Sequence, residues 1–231
     1  LVKMAPHHKI IKIGEVGAAL DFFKSHGVEQ VLFAGHVKRP KFQSIKTDSV
    51  GKSWLVKLGL ALFKGDDALL AGVTDLLRKE GFQILSTKDI FHDLYLEKGC
   101  PTHLKPSPQD THDIDRGISI LQATSPLDIG QAVVIENGLV LGLEAVEGTQ
   151  QLIQRIYTLK QQKRESGVLV KMAKIGQSTY VDLPTIGPDT VKQCYESGLR
   201  GIAIGASHTQ VINKTLVIEL ANEYGMFIQA L

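Results

Sequence analysis

Residues 167–192 read GVLVKMAKIGQSTYVDLPTIGPDTVK, and the order of apolar and turn residues in this stretch decides the fold. The uninterrupted apolar run at 168–170, preceded by a glycine, is typical of a buried strand. Pro184 and the pair Gly187–Pro188 interrupt the chain, and a proline suits the first turn of a helix, so a helix is predicted from Pro188. A buried strand that is followed by a helix favours an α/β fold.

The same stretch carries polar groups directly after its strand. Lys171 and Lys174 follow the apolar run, and Asp182 stands between two apolar residues. Two cations and one sheltered carboxylate around a rigid turn suit a phosphorylated ligand and a metal ion. The alternative is that Asp182 caps a turn and both lysines are solvated, and spacing alone leaves it open.

The composition is that of an ordinary globular protein. The chain has 231 residues, of which 43% are hydrophobic and 22% are charged, with a net charge of +2. This length allows one large or two modest domains. The mild basic excess of the first 105 residues lacks a dense Lys/Arg stripe interleaved with aromatic residues, so nucleic acid is not expected as a partner. The two cysteines, Cys100 and Cys194, show no metal-ligand spacing and are predicted to be free thiols in a reducing compartment.

The first hundred residues alternate helical and strand patterns. Helix patterns cover 15–26, 54–62 and the segment after Gly65, and strand patterns cover 31–34 and 82–85. They predict a Rossmann-like α/β domain. Lys38 and Arg39 follow its first strand and are candidates for an anionic group. Asp66 and Asp67 open a helix, where capping is favoured over metal binding.

Three segments resemble functional motifs but lack a residue or an arrangement that the motif requires. Gly51-Lys52-Ser53 would need a glycine at position 46 to be a phosphate loop, and Lys46 stands there. The turn at 207–209 contains serine and histidine but lacks the nucleophile-elbow pattern. His7 and His8 are adjacent in an extended arm, so they point apart and are not expected to bind a metal together.

The prolines and polar residues of 101–111 predict a linker between an N-terminal domain, 1–100, and a C-terminal domain, 112–231. In the second domain Asn137-Gly138 lies between two apolar segments, 132–136 and 139–143, which predicts a tight β-hairpin. Asp113 and Asp115 are expected at the start of a helix. The fold predicted for this domain is α/β with a β-hairpin.

Two carboxylates follow the second arm of the hairpin. Glu147 and Thr149 precede the apolar pattern of a helix, so Glu147 has a local use at the helix N-terminus. Glu144 lies at the strand end with no such local use, and it is therefore the better functional candidate. A solvated Glu144 remains the alternative.

Taken together, these motifs resemble the LpxI-type UDP-2,3-diacylglucosamine pyrophosphatases of lipid A biosynthesis. The resemblance runs over nearly the whole chain and rests on these segments: AGHVKRP (34–40), GDDALL (65–70), EGF (80–82), DIDRG (113–117), DIGQAVVIENG (128–138), EAVEGT (144–149), GVLVKMAK (167–174) and VDLPTIGPDTV (181–191).

The resemblance implies a cytoplasmic, two-domain enzyme, peripheral at the inner membrane of a Gram-negative-type cell and able to form a homo-oligomer. It implies hydrolysis of the acylated UDP-sugar to UMP and 2,3-diacylglucosamine 1-phosphate (lipid X), with water attacking the phosphorus nearer the sugar. Mg²⁺ or Mn²⁺ is the implied cofactor, with Asp182 as its ligand. Asp182, Lys171 and Lys174 are the implied catalytic residues. The implied substrate-binding residues are Gln131, Glu144, Glu147, Thr149, Gln177 and Thr185.

The chain departs from the family pattern at four positions and at its beginning. Ile175, Ser178 and Tyr180 replace a proline, an acid and an arginine, and Gly205 replaces another acid. The first strand and glycine-rich loop of the family are expected to be absent. These departures leave a second hypothesis: a catalytically weak relative that binds or transfers an acylated sugar phosphate.

Overall fold

The computed structural model describes residues 5–35, 45–63, 66–160, 166–175, 180 and 183–231. The chain forms two compact units, 1–90 and 91–231. The division between Ile90 and Phe91 precedes the predicted linker at 101–111, which lies inside the second unit.

The first unit contains four helices and two strands among its described residues. They are α1 (Val16–Ser25), β1 (Gln30–Leu32), α2 (Ser49–Leu58), α3 (Asp66–Lys79), β2 (Gln83–Leu85) and α4 (Thr87–Ile90). A 3₁₀ helix, Gly59–Phe63, continues α2. β1 and β2 pair in parallel, with Val31 opposite Ile84. Parallel pairing needs a crossover, which is the arrangement that the helix and strand patterns predict. Lys38 and Arg39 and the side chains of Asp66 and Asp67 lie outside the described residues.

One carboxylate joins the beginnings of two helices in this unit. Asp48 caps α2 by accepting a hydrogen bond from the backbone N–H of Gly51 at 2.7 Å. Its other oxygen accepts from the N–H groups of Gly17 at 2.7 Å and Ala18 at 3.3 Å, in the first turn of α1. These backbone donors, that of Gly51 foremost, lower the pKa of the Asp48 carboxyl. The carboxylate form therefore stabilises the contact between α1 and α2.

Asp48→Asn is expected to lower the melting temperature at neutral pH, because an amide has only one oxygen to accept these bonds. The folded-state pKa of Asp48 is depressed, so its contribution to stability is present above the unfolded pKa of about 4. That contribution is lost as the pH falls through the folded pKa. Thermal unfolding should therefore show a difference between wild type and variant at pH 7 that shrinks toward pH 3. The control is Asp75→Asn, which breaks an exposed pair with Arg78 and should change little. A difference that persists unchanged in acid would contradict this role of the charge.

The second unit is built on a five-stranded sheet of order β4-β3-β5-β7-β9. Its elements are α5 (Pro108–Thr124), β3 (Ala132–Glu136), β4 (Leu139–Leu143), α6 (Gly148–Leu159), β5 (Val168–Lys171), β6 (Thr185–Ile186), α7 (Pro188–Glu196), β7 (Gly201–Ile204), β8 (Gln210–Val211), α8 (Lys214–Glu223) and β9 (Phe227–Ala230). Strands β5, β7 and β9 are parallel, and β3 runs antiparallel to both β4 and β5. Consequently β4, β5, β7 and β9 all end at the edge of the sheet where β3 begins. β6 and β8 form a separate two-stranded parallel pair.

Helices cover both faces of this sheet, because successive side chains of a strand point to opposite sides. One face packs against α6, α7 and α8 through the sheet residues Val134, Leu169, Ile202 and Ile228. The other face packs against α5 through Val133, Val170, Ala203 and Phe227. Each buried side chain of this kind contributes about 1.5–3 kcal/mol. The strand predicted at 168–170 is thus confirmed as the buried centre of an α/β layer, and the helix predicted from Pro188 is confirmed as α7.

The predicted hairpin is confirmed, and Asp113, which was expected at a helix start, binds its turn instead. Asn137 and Gly138 both have positive φ, 49° and 79°, as a type I′ turn requires. Asp113 was expected at a helix start, but α5 begins five residues earlier, at Pro108, with Ser107 as its cap. Asp113 is instead buried in the middle of α5 and accepts hydrogen bonds from the N–H groups of Asn137 and Gly138 at 2.8 and 2.7 Å. It anchors the turn to the helix.

Residues 99–111, which include the predicted linker, are packed into the second unit. Gly99 pairs with Ala230 and so covers the outer edge of β9. The buried Thr102 hydroxyl accepts a hydrogen bond from the N–H of Ile228 at 3.0 Å. The prolines of this segment stop it from forming a helix before Ser107, but its backbone bonds to β9 keep it from being a free connection.

None of the helices in these described ranges is both long enough and apolar enough to cross a membrane.

Candidate active site

Polar residues from four chain segments meet at the edge of the sheet where β4 and β5 end. Gln131 directly precedes β3, Glu144 directly follows β4, and Lys171 is the last residue of β5. Thr149 lies in the first turn of α6. The strand order brings these positions together, because β3 lies between β4 and β5. Ligands of α/β proteins bind beyond the carboxyl ends of the strands, so this edge is the candidate site.

Glu144 is buried, and both of its oxygens accept hydrogen bonds. One oxygen accepts from the backbone N–H of Gln131 at 2.8 Å. The other accepts from the Thr149 hydroxyl at 2.6 Å. The side chain is only 5% exposed, so the alternative of a solvated Glu144 is wrong.

Lys171 is also buried, and it joins the same network. Its ammonium donates to the Thr149 hydroxyl oxygen at 2.8 Å and to the backbone carbonyl of Thr185 at 3.0 Å. The residue is 6% exposed, so the alternative of a solvated lysine is wrong here as well. A buried ammonium is stable only with hydrogen-bond partners and a nearby negative charge, and the Glu144 carboxylate lies one hydroxyl away.

The charge of Lys171 also affects the pKa of a buried thiol in the core, that of Cys194. Burial raises the pKa of the Cys194 thiol on α7 far above its usual range, and the nearby Lys171 charge opposes that rise. Cys194 is therefore an inert neutral thiol. Cys100, the other predicted free thiol, is partly buried and is confirmed as free.

Lys174 forms an ion pair outside this network. Its ammonium bonds to the carboxylate of Asp128, in the loop before β3. The N–H of Ile175 donates to the Ser125 hydroxyl at 2.6 Å and ties the same two loops together. Lys174 thus lies near the loop that carries Gln131, but its described partner is a carboxylate outside the network around Glu144.

Two buried polar atoms near this edge make no hydrogen bond with the described part of the chain: the Gln131 side-chain oxygen and the Thr209 hydroxyl. Thr209 precedes β8, whose residue Gln210 lies opposite Thr185 of β6. A buried acceptor or donor without a partner costs about 1–3 kcal/mol. Such atoms are found where a ligand or water completes the bonding.

The other predicted site residues divide into two groups. Glu147 is turned away from the network, since it accepts from the N–H of Ala145 and pairs with Arg155. It lies at the N-cap position of α6 but makes no side-chain cap bond there. Asp182 and Gln177 lie outside the described residues, so their predicted roles stay predictions.

The described side chains do not by themselves fit a metal ion. Within the described ranges no three His, Cys, Asp or Glu residues cluster as a metal site would require. Glu144, the one buried carboxylate among the predicted site residues described here, already has both oxygens bonded to protein donors. A magnesium ligand would have to come from elsewhere, and Asp182 is the residue proposed for it.

Comparison with known proteins places the two units in one family. Residues 1–94 match the model of the LpxI N-terminal domain, and residues 97–229 match that of the LpxI C-terminal domain. The chain is also 37% identical over 223 residues to the UDP-2,3-diacylglucosamine pyrophosphatase LpxI of Caulobacter vibrioides, which covers 94% of this chain and 80% of that protein. The chain belongs to the LpxI family. The resemblance drawn from the motifs is therefore confirmed.

The LpxI membership gives the four departures from the family pattern a structural context. At Gly205, just after β7, the nearest atoms to an added Cβ belong to Met172 and His208, at 3.5–3.7 Å. These are ordinary van der Waals contacts, so a Cβ fits at this position. Ile175 is exposed at the surface. Neither residue belongs to the network around Glu144.

The sequence did not identify two polar residues that the fold brings near this edge, Asp128 beside Lys174 and Thr209 before β8. Asp128 begins the quoted segment DIGQAVVIENG, and its pairing with Lys174 was within reach as a charge match. Thr209 had no such signal, because its hydroxyl is buried without a partner among the described residues only once the chain has folded.

Proposed function

We propose that this chain hydrolyses the pyrophosphate bond of UDP-2,3-diacylglucosamine, releasing UMP and 2,3-diacylglucosamine 1-phosphate. The proposal is carried by one observation, the 37% identity to an LpxI with this activity over 94% of the chain. The buried Lys171 network at the sheet edge supports it, since a pyrophosphate diester is anionic and its cleavage depends on neutralising charge.

In the proposed reaction the chain binds and orients the two phosphates. Lys171 supplies a fixed positive charge from the end of β5, and Lys174 supplies a second one from the following loop. Asp182 orients the attacking water or accepts its proton. The water oxygen bonds to the phosphorus nearer the sugar, and the bond to the UMP oxygen breaks. Gln131, with its buried amide oxygen, is proposed to accept a hydrogen bond from the substrate.

We also propose a divalent cation, Mg²⁺ or Mn²⁺, with Asp182 as its protein ligand. Mg²⁺ prefers oxygen ligands and usually takes one or two carboxylates together with waters and substrate phosphate. When bound, it would neutralise the negative charge of the phosphate oxygens.

The departures at Ser178 and Gly205, where two family acids are replaced, favour the second candidate function, a protein that binds the acylated sugar phosphate with little turnover.

The test is UMP release from UDP-2,3-diacylglucosamine by the purified chain. We expect release that requires Mg²⁺ or Mn²⁺, stops with a chelator and is lost in Asp182→Asn. UDP-N-acetylglucosamine, which lacks the two long acyl chains, is the control and should be hydrolysed poorly. If the acylated substrate binds tightly but no UMP appears with excess metal, the binding function replaces the hydrolase. Equal activity of wild type and Asp182→Asn would remove Asp182 from the mechanism.

We further propose that the loops around the site contact the membrane in which the acyl chains reside. Leu127, Val146 and Ile175 are exposed by 69%, 105% and 70%, and they lie in the segments before β3, after β4 and after β5. Exposed apolar groups beside a site for an acylated ligand suit a lipid surface. Co-sedimentation with phospholipid vesicles tests this contact. Protein that stays in the supernatant at physiological salt would contradict it.

A further inference from the structure

We infer that Glu144 and Thr149 are positioning residues that hold Lys171 in place for the pyrophosphate, and that neither contacts the substrate. This inference rests on the proposed function, because it assigns a task to residues of the same site. It also revises the roles implied by family resemblance, which made both residues substrate-binding.

The directions of the hydrogen bonds show how Glu144 orients the Lys171 ammonium through Thr149. A hydroxyl has one proton to donate. The Thr149 proton goes to Glu144 at 2.6 Å, a short bond typical of a charged acceptor. The Thr149 oxygen is therefore left to accept from the Lys171 ammonium at 2.8 Å. Glu144 thus sets the orientation of the hydroxyl, and the hydroxyl sets the orientation of the ammonium.

Glu144 is itself held in place by hydrogen bonds. Its other oxygen accepts from the N–H of Gln131, and its own N–H donates to the carbonyl of Ala132 at 2.8 Å. The carboxylate is thereby bound to the beginning of β3, and Lys171 lies opposite Ala132 on the neighbouring strand β5. The described hydrogen bonds of the ammonium therefore come from α6 and β6, and Glu144 fixes the hydroxyl that provides the first of them.

Glu144 is not available for direct contact with the substrate. Both Glu144 oxygens are occupied by protein donors, and the residue is 5% exposed. A carboxylate would also repel a pyrophosphate in direct contact. The Thr149 hydroxyl separates the carboxylate from Lys171, and at this distance the negative charge of Glu144 compensates the buried positive charge of Lys171. The nearby Cys194 thiol is neutral, because burial raises its pKa, and it cannot do this.

The first test compares two variants of Thr149. Thr149→Val keeps the shape of the side chain but removes the hydroxyl, and we expect kcat to fall by about 10–100-fold with KM changed less than about threefold. The lysine charge would still attract the anionic substrate, while its placement in the transition state would be lost. Thr149→Ser keeps the hydroxyl and should recover most of the loss. Equal impairment of both variants, or a loss confined to KM, would overturn the inference.

The matched control is another buried carboxylate of the same unit. Asp113→Asn disturbs the hairpin turn at the opposite end of β3, so it should lower the melting temperature but leave kcat of the folded protein unchanged. Glu144→Gln, in contrast, should lower kcat as Thr149→Val does. If Asp113→Asn lowers kcat as much as Glu144→Gln, the effect is one of general stability and the inference fails.

A spectroscopic measurement separates this inference from the proposed function. In a ¹H–¹⁵N spectrum of lysine ammonium groups, buried Lys171 should give a signal protected from exchange, assigned by its loss in Lys171→Met. Thr149→Val should shift or broaden that signal, and Thr149→Ser and Asp113→Asn should not. If wild type releases no UMP but the signal depends on the Thr149 hydroxyl, the positioning stands and the proposed function fails. If UMP is released but Thr149→Val changes neither kcat nor the signal, the positioning fails alone.

Discussion

Replacing Lys171 by methionine is expected to lower kcat for UMP release by about 100-fold or more. Methionine matches the length and volume of the lysine stem but carries no charge, so phosphate oxygens at the end of β5 would lose their fixed cation. Removing a single preorganised group that stabilises developing charge costs about 10²–10³ in kcat. Lys171 lies at a sheet edge, is buried and makes at least two hydrogen bonds, so solvent cannot replace it. Steady-state kinetics of UMP release would measure the loss.

Two controls separate the charge of Lys171 from its contribution to stability. Lys160 is another buried lysine of the second unit, paired with Glu136 at the opposite end of β3. Lys160→Met should therefore lower the melting temperature but keep kcat. Lys171→Met leaves the Glu144 carboxylate buried without its compensating charge, so the double variant with Glu144→Gln should regain part of the lost stability and none of the lost activity. Full activity in Lys171→Met would remove this lysine from the catalytic residues.

Gly130→Ala is the substitution expected to disrupt the site through the backbone. Gly130 has φ of +53°, and an added Cβ would lie 2.1 Å from the carbonyl oxygen of Glu144. Since that neighbour is backbone, the loop must move, and the hydrogen bond between Gln131 and Glu144 must lengthen or break. Strain and overpacking together are expected to cost about 2–5 kcal/mol. Chemical unfolding and UMP release would both record the effect.

Gly138 provides a matched control for the strain alone. It also has positive φ, +79°, but an added Cβ would meet nothing within 4 Å. Gly138→Ala should therefore cost only the backbone strain, about 1 kcal/mol, with kcat unchanged. If both alanine variants lose the same stability and activity, the close approach of Gly130 to Glu144 has no particular importance for the site.

Local patterns in the sequence predicted most of the elements correctly. The apolar run at 168–170, the Asn137-Gly138 turn and the helix from Pro188 depend on short-range preferences, namely side-chain periodicity and allowed φ values. The error at Asp113 has a different origin. Its acidic side chain suited a helix start, but a capping box formed at Ser107 and its partner turn lies 24 residues away. No local preference reports such a contact.

The candidate site shows the same division. Lys171 and Glu144 were candidates because each is a charged residue that directly follows a predicted strand. The family resemblance added Gln131 and Thr149. Their connection into one network depends on β3 lying between β4 and β5, which is a matter of strand pairing across the sheet. The absence of Glu147 from that network has a more local cause, because Glu147 pairs with Arg155, about two turns further along α6.

The sequence by itself determined the α/β class, the hairpin, the buried strand predicted at residues 168–170 and the family. These follow from periodicity, turn chemistry and motif similarity, all of which act over short stretches of chain. Only the tertiary structure decided that Lys171 is a buried cation bound through Thr149 to Glu144, because burial and hydrogen-bond partners are set by strands that meet after folding. The physical reason is that removing a charge from water requires a compensating partner. One such partner is Glu144, which directly follows β4 and lies close to Lys171 only in the folded sheet.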